Sequence, residues 1–360
     1  SAGEVVFVGD GIEGIVPGDR VACAGSGYAS HAEYVLIPKN LFAKIPENVN
    51  FEEAAFSTLG AISLHGFRLA SPQLGEKVAI IGLGLLGLMM VDICQAAGLK
   101  VFGIDLDDTR VEMAKKKGVV ASSRELAHDL GMNFSDNLGF DVIFICADTK
   151  SNDPVDLAGM LARDKGTVVA VGAVGLEIPR KQYYEKELTF LISRSYGPGR
   201  YDQEYEENGK DYPYGYVRWT EGRNLSAILE LISSKQLDVK SLITHRFQIE
   251  EGGKAYETIT GKNLDNFLGV VIQYPENKIE SSSNRIVKLS NEPDNINIDK
   301  IRIGVLGAGL YAGAVFLPII QKSSSIERLG ICSAKGLNAK QLAHKFNYKF
   351  ACSDENQIFE

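Results

Sequence analysis

Short apolar runs alternate with longer stretches of helical spacing through the middle of the chain. Apolar and β-branched residues gather at 78–81, 101–105, 142–147, 167–171 and 188–193, each run short enough for a buried strand. Between them lie helical patterns such as 85–97 and 109–117. Strands alternating with helices predict a parallel, doubly wound α/β sheet over 61–195. The pattern changes on either side of it. Residues 1–60 read as short β-segments (GEVVFVG, GDRVACAG, AEYVLIP) with a turn at Pro17-Gly18-Asp19. After Tyr196 come an aromatic loop, a helix near 225–234 and the strand-like THRFQI and LGVVIQY. The polar, Asn- and Ser-rich residues 276–299 predict a linker. A second strand–turn–helix pattern starts at Ile301 and continues through a strand near 328–332 and a helix near 338–346. The expected division is therefore 1–60 with 196–275, then 61–195, the linker 276–299, and 300–360.

Each of the two strand–helix units opens on a glycine-rich turn. The first, GLGLLG, holds Gly82, Gly84 and Gly87, with Leu85 and Leu86 entering the helix; the second, GAGLYA, holds Gly307, Gly309 and Ala312. A dinucleotide site needs a strand, a tight turn and a helix N-terminus facing the pyrophosphate. One such match is weak evidence; two make a nucleotide-dependent oxidoreductase the default reading. Asp105 ends the next strand, where a carboxylate accepts from ribose hydroxyls and repels a 2′-phosphate, which favours NAD over NADP. Asp105 could instead cap the helix that follows, which carries Arg110. In the second unit Ser333 stands at the matching strand end with Lys335 close by, so NAD or NADP is possible there, as is no ligand at all. Cys146, Ala147, Gly172, Ala173 and Val174 fall at the C-terminal ends of two later strands, the edge where open α/β sheets bind ligands.

Charge and cysteine content narrow the classes. A net charge of −8 and a pI near 5.4 argue against nucleic acid as a partner. The most apolar stretch, 78–90, is too short to span a bilayer, so no membrane partner is expected. Five scattered cysteines with no CxxC pair support neither a disulfide framework nor a zinc finger, and a reducing cytoplasm is expected.

Residues 194–219 are the least generic part of the chain. Six of the 14 tyrosines (Tyr196, Tyr201, Tyr205, Tyr212, Tyr214, Tyr216) and the single tryptophan, Trp219, lie there among Arg194, Arg200, Asp202, Glu206, Asp211 and Arg218. Aromatic faces with polar tips suit a partly wet binding surface, and guanidinium groups hold hydroxyls or phosphate. Arg194, Tyr205, Arg218 and Trp219 are the expected substrate contacts. An ordered surface loop, or a contact with another domain or subunit, is the competing reading. Tyr196, Tyr201 and His65 are candidate proton donors, with His31 a further histidine within reach of the cleft. Lys115–Lys117 reads as a solvated helix end.

The run AGEVVFVG, VPGDRVA, AEYVLIP, IPENVNFEEAAF, LGEKVAIIGLGLLG and, later, SLITHRFQIEEGGKAYETI resembles the medium-chain dehydrogenase/reductase family over about 1–275. The resemblance implies an N-terminally incomplete, β-rich GroES-like catalytic domain beside a Rossmann domain. It also implies small-molecule substrates; a homo-oligomer is expected. GVLGAGLYA followed by Leu317-Pro318 resembles the start of the Gfo/Idh/MocA sugar-dehydrogenase family, implying a truncated second Rossmann unit. Fusions of the two resemble bi-domain oxidoreductases of surface-polysaccharide synthesis. Two departures stand out. Ser57 lies near the position of a zinc-ligating Cys, and Cys23 is alone where a four-cysteine lobe would lie, so a zinc-independent member is expected. The expected activity is NAD-dependent hydride transfer at a carbonyl or alcohol carbon, plausibly of a sugar or nucleotide sugar. The rival readings are a reductase of activated double bonds and an inactive nucleotide-binding scaffold.

Overall fold

The computed structural model describes residues 1–261, 266–275, 286–289, 300–334 and 336–359. The chain forms two compact units, Ser1–Tyr274 and Pro275–Glu360. The first begins with β1 (Ala2–Glu4), β2 (Arg20–Cys23) and β3 (Phe42–Lys44), an antiparallel sheet in sequential order. Two of the expected strands there do not form as expected. In GEVVFVG only the first residues pair, leaving Val6 and Phe7 exposed. AEYVLIP forms no strand, and Val35 and Leu36 are exposed. Val6 and Phe7, like AEYVLIP, find no ladder partner among the described residues, and apolar alternation alone does not hold an extended backbone.

The short helix α1 (Phe51–Ala54) starts at Asn50, whose side chain and that of Glu53 cap each other's backbone. It leads into α2 (Ser57–Ala70). Then follow β4 (Lys77–Ile81), α3 (Leu85–Ala96), β5 (Lys100–Asp105), α4 (Asp108–Lys116), β6 (Val120–Ser123) and α5 (Ala127–Phe134). The second half runs β7 (Phe140–Ile145), α6 (Asp153–Leu161), β8 (Ala162–Ala170), α7 (Arg180–Glu185) and β9 (Thr189–Ile192). All six strands are parallel, in the order β6-β5-β4-β7-β8-β9. The chain winds outward from β4 in one direction, then returns to add β7 on the other side. That reversal opens a crevice above the carboxyl ends of β4 and β7. Alternate residues of β4 feed opposite cores: Val78 and Ile80 pack on one face, Ala79 and Ile81 on the other. The sequence pattern missed β6, whose residues VASS lack an apolar run because it is an edge strand.

The rest of the first unit holds α8 (Gln203–Glu206), α9 (Glu221–Ser233), β10 (Ile243–Gln248), α10 (Gly252–Ile259) and β11 (Gly269–Gln273), with β10 and β11 parallel. Helix α9 lies on α2 because Gly60 leaves room for Ile228; a Cβ at Gly60 would come within 2.8 Å of it.

The second unit contains β12 (Ile286–Lys288), β13 (Ile301–Leu306), α11 (Leu317–Gln321), β14 (Ile326–Cys332), α12 (Leu337–Lys345), β15 (Phe350–Cys352) and α13 (Asn356–Phe359). Its sheet runs β12-β15-β14-β13, parallel except for β12. A wide helical turn, Ala312–Phe316, enters α11. Strand β12 corrects the expected linker: within 276–299, three residues pair along the edge of this sheet. Most of the remaining expected linker, and Lys335, lie outside the described residues. Among the described residues no helix is long and apolar enough to cross a membrane.

Candidate functional site

The first glycine turn is dictated by close packing. Gly82 sits at φ +94° with its N–H donating to the Ile104 carbonyl at 2.8 Å. A Cβ there would meet the Ala147 backbone nitrogen at 2.6 Å, and one at Gly87 would lie 1.9 Å from the Gly82 carbonyl oxygen. Helix and turn can approach this closely only without side chains. Gly84 is the N-cap of α3 and no side chain caps the helix, so the N–H groups of its first turn, at Leu85 and Leu86, are free to meet an anion. The Ser63 hydroxyl donates to the Leu86 carbonyl at 3.0 Å and ties α2 to this turn.

Asp105 ends β5 with its carboxylate buried against the same turn. Oδ2 accepts from the Leu83 N–H at 2.6 Å and Oδ1 from the Asp107 N–H at 2.9 Å. The capping alternative is settled by Asp107, which is the N-cap of α4 and accepts from Thr109 N–H at 2.9 Å. Arg110 reaches over the turn, 3.9 Å from Asp105 and 3.7 Å from Asp107, with Nη1 beside Gly84. The carboxylate keeps lone pairs on both oxygens beyond its two backbone bonds.

The ends of β7 and β8 meet in the same way. A Cβ at Gly172 would lie 2.1 Å from the Ala147 carbonyl oxygen, and Thr149 N–H donates to Ala173 O at 2.8 Å. Asp148, Thr149, Lys150, Ala173, Val174 and Gly175 line an open hollow of about 520 Å³ at this edge. Cys146 lies beneath, buried, its thiol pushed up to about 12 by burial. It therefore supports the loop rather than reacting.

Residues 194–219 leave the sheet just past β9 and fold around a buried polar cluster. Asn224 on α9 donates to the Tyr196 carbonyl at 2.9 Å and accepts from Arg68 of α2 at 2.7 Å. Glu221, one turn earlier, donates its backbone N–H to the Pro198 carbonyl at 2.8 Å. Arg200 pairs with Glu206 at 2.6 Å, both largely buried. The Tyr196 hydroxyl, Arg200 Nε and both Glu221 carboxyl oxygens are buried with no hydrogen-bond partner. Burial, reinforced by Glu206 and opposed by Arg200, pushes the Glu221 carboxyl up to about 8. A bare buried carboxylate is costly, so Glu221 stays neutral at pH 7.

This geometry sorts the expected site residues. Tyr205 is corrected: it is almost wholly buried, stacked on Tyr212 at 5.3 Å and wedged beside Gly222, so it is core and not a substrate contact. Tyr196 is also buried, and burial pushes its hydroxyl above the usual range. Tyr201 is 60% exposed, with its ring over Arg200 at 3.9 Å and over Arg194 at 4.6 Å. Arg218 and Trp219 are at the surface, stacked at 3.6 Å. His65 is half-buried on α2, and burial, helped by Arg68, holds it below the usual imidazole range. Lys117 is not a solvated helix end: it is largely buried and pairs with buried Asp92 at 2.8 Å. Arg68, Glu221 and Asn224 escaped the sequence reading because each is a single polar residue in an ordinary helical pattern.

A zinc centre does not fit the residues present. Among the described residues no three His, Cys, Asp or Glu side chains gather at metal-ligand reach, and Cys23 is buried with its thiol pushed up to about 11 by burial. Ser57 is buried with an unpartnered hydroxyl, a weak donor for zinc. In the second unit Gly307 (φ +101°) and Gly309 have nothing within 4 Å of an added Cβ. A hollow of about 380 Å³ opens beside Gly309, between Gly313 and Ala314 on one side and Asn338, Gln341 and Lys345 on the other. The Ser333 hydroxyl is buried and unpartnered.

Residues 86–208 match the family model described as zinc-binding dehydrogenase. Sorbitol dehydrogenase 1 of Saccharomyces cerevisiae is 28% identical over 295 residues, covering 71% of this chain and 76% of the relative. Among solved structures, a zinc-binding dehydrogenase from Sinorhizobium meliloti bound to NADP has a TM-score of 0.60 at 22% identity, covering 75% of this chain and 81% of that one. A structure described as a short chain alcohol dehydrogenase from Escherichia coli, in complex with NADH, has a TM-score of 0.59 at 20% identity, covering 76% and 82%. The chain is thus an oxidoreductase, similar to the zinc-type alcohol dehydrogenases and sharing the fold of these solved structures.

Proposed function

We propose that Ser1–Tyr274 is an NAD-dependent, metal-independent dehydrogenase that interconverts a secondary alcohol and a ketone on a polyol or sugar. The observation that carries this reading is the Asp105 carboxylate, locked at 2.6 Å onto the Leu83 N–H of the glycine turn. A fixed negative charge there accepts ribose hydroxyls and repels a 2′-phosphate. When bound, the nicotinamide supplies or accepts the hydride. The protein does the rest. The first turn of α3 would meet the pyrophosphate, and Gly82, Gly87 and Gly172 let the turn, the helix and the end of β7 pack closely enough to shape the edge that would hold the dinucleotide. Ala147, Ala173 and Val174 border the nicotinamide end. The hydroxyl proton of the alcohol leaves through a side chain at the cleft, for which exposed Tyr201 is better placed than buried Tyr196. The similarity to sorbitol dehydrogenase supports a polyhydroxylated substrate.

For Pro275–Glu360 we propose a dinucleotide-binding unit of the Gfo/Idh/MocA kind, with Gly307, Gly309 and Ala312 in the phosphate turn. Ser333 in place of an acid leaves NADP admissible there. Mixing the chain with NAD and a panel of polyols, and with NADH and the matching ketoses, tests the activity through absorbance of the reduced nicotinamide. Turnover of at least one polyol–ketose pair, undiminished by a chelator, is expected. Absence of turnover across the panel, with NADH bound, would instead favour the nucleotide-binding scaffold.

A further inference from the structure

Two arginines flank the only tryptophan of the chain. The guanidinium carbon of Arg68 lies 3.2 Å from the Trp219 ring centroid and that of Arg218 lies 3.6 Å from it. Two flat cations at van der Waals distance cannot share one face of a ring, so the indole is sandwiched between them. Stacking on the π faces favours each cation singly. It does not remove their mutual repulsion across one ring. Burial, helped by the Arg218 charge, pushes Arg68 down to about 10.

Neither arginine has a carboxylate partner among the described residues. Of the acids nearby, Asp211 pairs with Arg223 and Glu206 with Arg200, and Glu221, buried without a partner, holds its proton. The one polar partner of Arg68 is the neutral amide of Asn224, at 2.7 Å. Other arginines of this unit are matched, as in Arg124–Asp153 and Arg246–Glu52, while Arg180 and Arg194, like these two, lie against aromatic rings. The outer guanidinium edges therefore offer donors and two positive charges with nothing to neutralise them.

Helix α2, which carries Arg68, runs past the cofactor edge. Gly66 of α2 packs against Val171, which directly precedes Gly172, and Ser63 is bonded to Leu86 of the fingerprint helix. Arg68 lies on the opposite face of that helix from Gly66 and bonds Asn224, whose amide also holds the Tyr196 carbonyl just past β9. Around it Trp219 is partly exposed and Tyr214 more so, with Arg218 4.8 Å from the Tyr214 ring. Aromatic edges next to paired guanidinium groups suit a polyhydroxylated body ending in an anion. A phosphate monoester carries close to two negative charges and three acceptor oxygens, and so matches two arginines better than a carboxylate does.

We propose that Arg68 and Arg218, held apart by Trp219, form the subsite for the phosphate group of a phosphorylated polyol or sugar. This rests on the dehydrogenase reading of the first unit and narrows its substrate. The competing source of the same chemistry is a phosphate of the dinucleotide.

Because Trp219 is the single tryptophan, its emission reports this site directly. The full chain is titrated at constant ionic strength with inorganic phosphate, sorbitol 6-phosphate and unmodified sorbitol, with and without saturating NADH. NADH binding is measured separately by calorimetry. A saturable change is expected with both phosphates, none with sorbitol over the same range, and about the same affinity with NADH present. Arg218→Ala and Arg68→Gln should each weaken the phosphate response at least tenfold while NADH affinity stays within about twofold. No saturable response in protein that binds NADH, or equal responses in Arg218→Ala and the parent chain, would overturn the subsite and leave the dehydrogenase reading intact. Loss of the response when NADH is bound would assign the arginines to the cofactor's own phosphates and overturn it equally. A phosphate response without NADH binding would uphold the subsite and sink the cofactor reading.

Discussion

The two glycine turns share a sequence pattern and differ in what surrounds them. In the first, backbone crowds the glycines: an added Cβ at Gly87 would sit 1.9 Å from a carbonyl oxygen, and one at Gly82 2.6 Å from a backbone nitrogen. In the second, Gly307 and Gly309 face open space. The first also carries Asp105, bonded to two backbone N–H groups, where the second has a serine with an unpartnered hydroxyl. A fingerprint thus states that a turn is possible; the close approach and the strand-end carboxylate are what the proposed dinucleotide site rests on. Gly307 is required by its backbone angle alone, and Gly309 by neither packing nor angle within this chain.

The largest effect that separates them is steric. Gly87→Val forces a side chain into backbone that cannot yield, and should destabilise the first unit by more than about 3 kcal/mol, in the range of severe overpacking or strain. NADH binding should vanish with it. Thermal unfolding and calorimetry on the same sample check both. A variant that melts like the parent would mean that the turn is looser than described.

The next effect concerns charge. The first unit buries both carboxyl oxygens of Glu221 without a partner, whereas in the second the Glu327 carboxyl is paired with Lys349 at 2.7 Å. The folded carboxyl of Glu221 titrates near 8, well above the ordinary 4.5 of an unfolded glutamate. Its raised value means that the folded state holds the proton more tightly, so its contribution is full below about 4.5 and is lost as pH rises toward 8. Glu221→Gln keeps the shape and removes the titration. It should be more stable than the parent by about 1–3 kcal/mol at pH 8, with the gap closing at pH 5. Denaturant midpoints at the two pH values measure this, and a pH-independent gap would contradict the neutral acid.

The smallest effect is at the open turn. Gly309→Ala adds a methyl group to empty space and should change stability by less than about 1 kcal/mol. A destabilisation like that of Gly87→Val would erase the contrast between the turns.

The central α/β layer was legible because a sheet buried on both faces must be apolar along its whole length, as in KVAII and FDVIFI. Edge strand β6, with VASS, carries no such signal. The outer β-segments were over-read: Val6, Phe7 and Leu36 alternate like strand residues yet find no ladder. At the site, Gly82, Gly87 and Asp105 could be placed from spacing, because backbone geometry fixes their positions along the chain. The Arg68–Trp219–Arg218 sandwich could not, since it joins residues about 150 positions apart by packing alone. Tyr205 misled for the opposite reason: an aromatic in a polar loop reads as a binding surface whether its ring faces solvent or, as here, Tyr212.

The central claim is that Asp105 makes the first turn an NAD site. The most direct measurement is a titration of the chain and of Asp105→Ala with NADH and with NADPH, following nicotinamide emission. The parent should bind NADH at least tenfold more tightly than NADPH, a difference of about 1.4 kcal/mol or more. Asp105→Ala should lose most of that preference, chiefly by weaker NADH binding. Equal affinities in the parent, or a preference that survives in Asp105→Ala, would contradict the account.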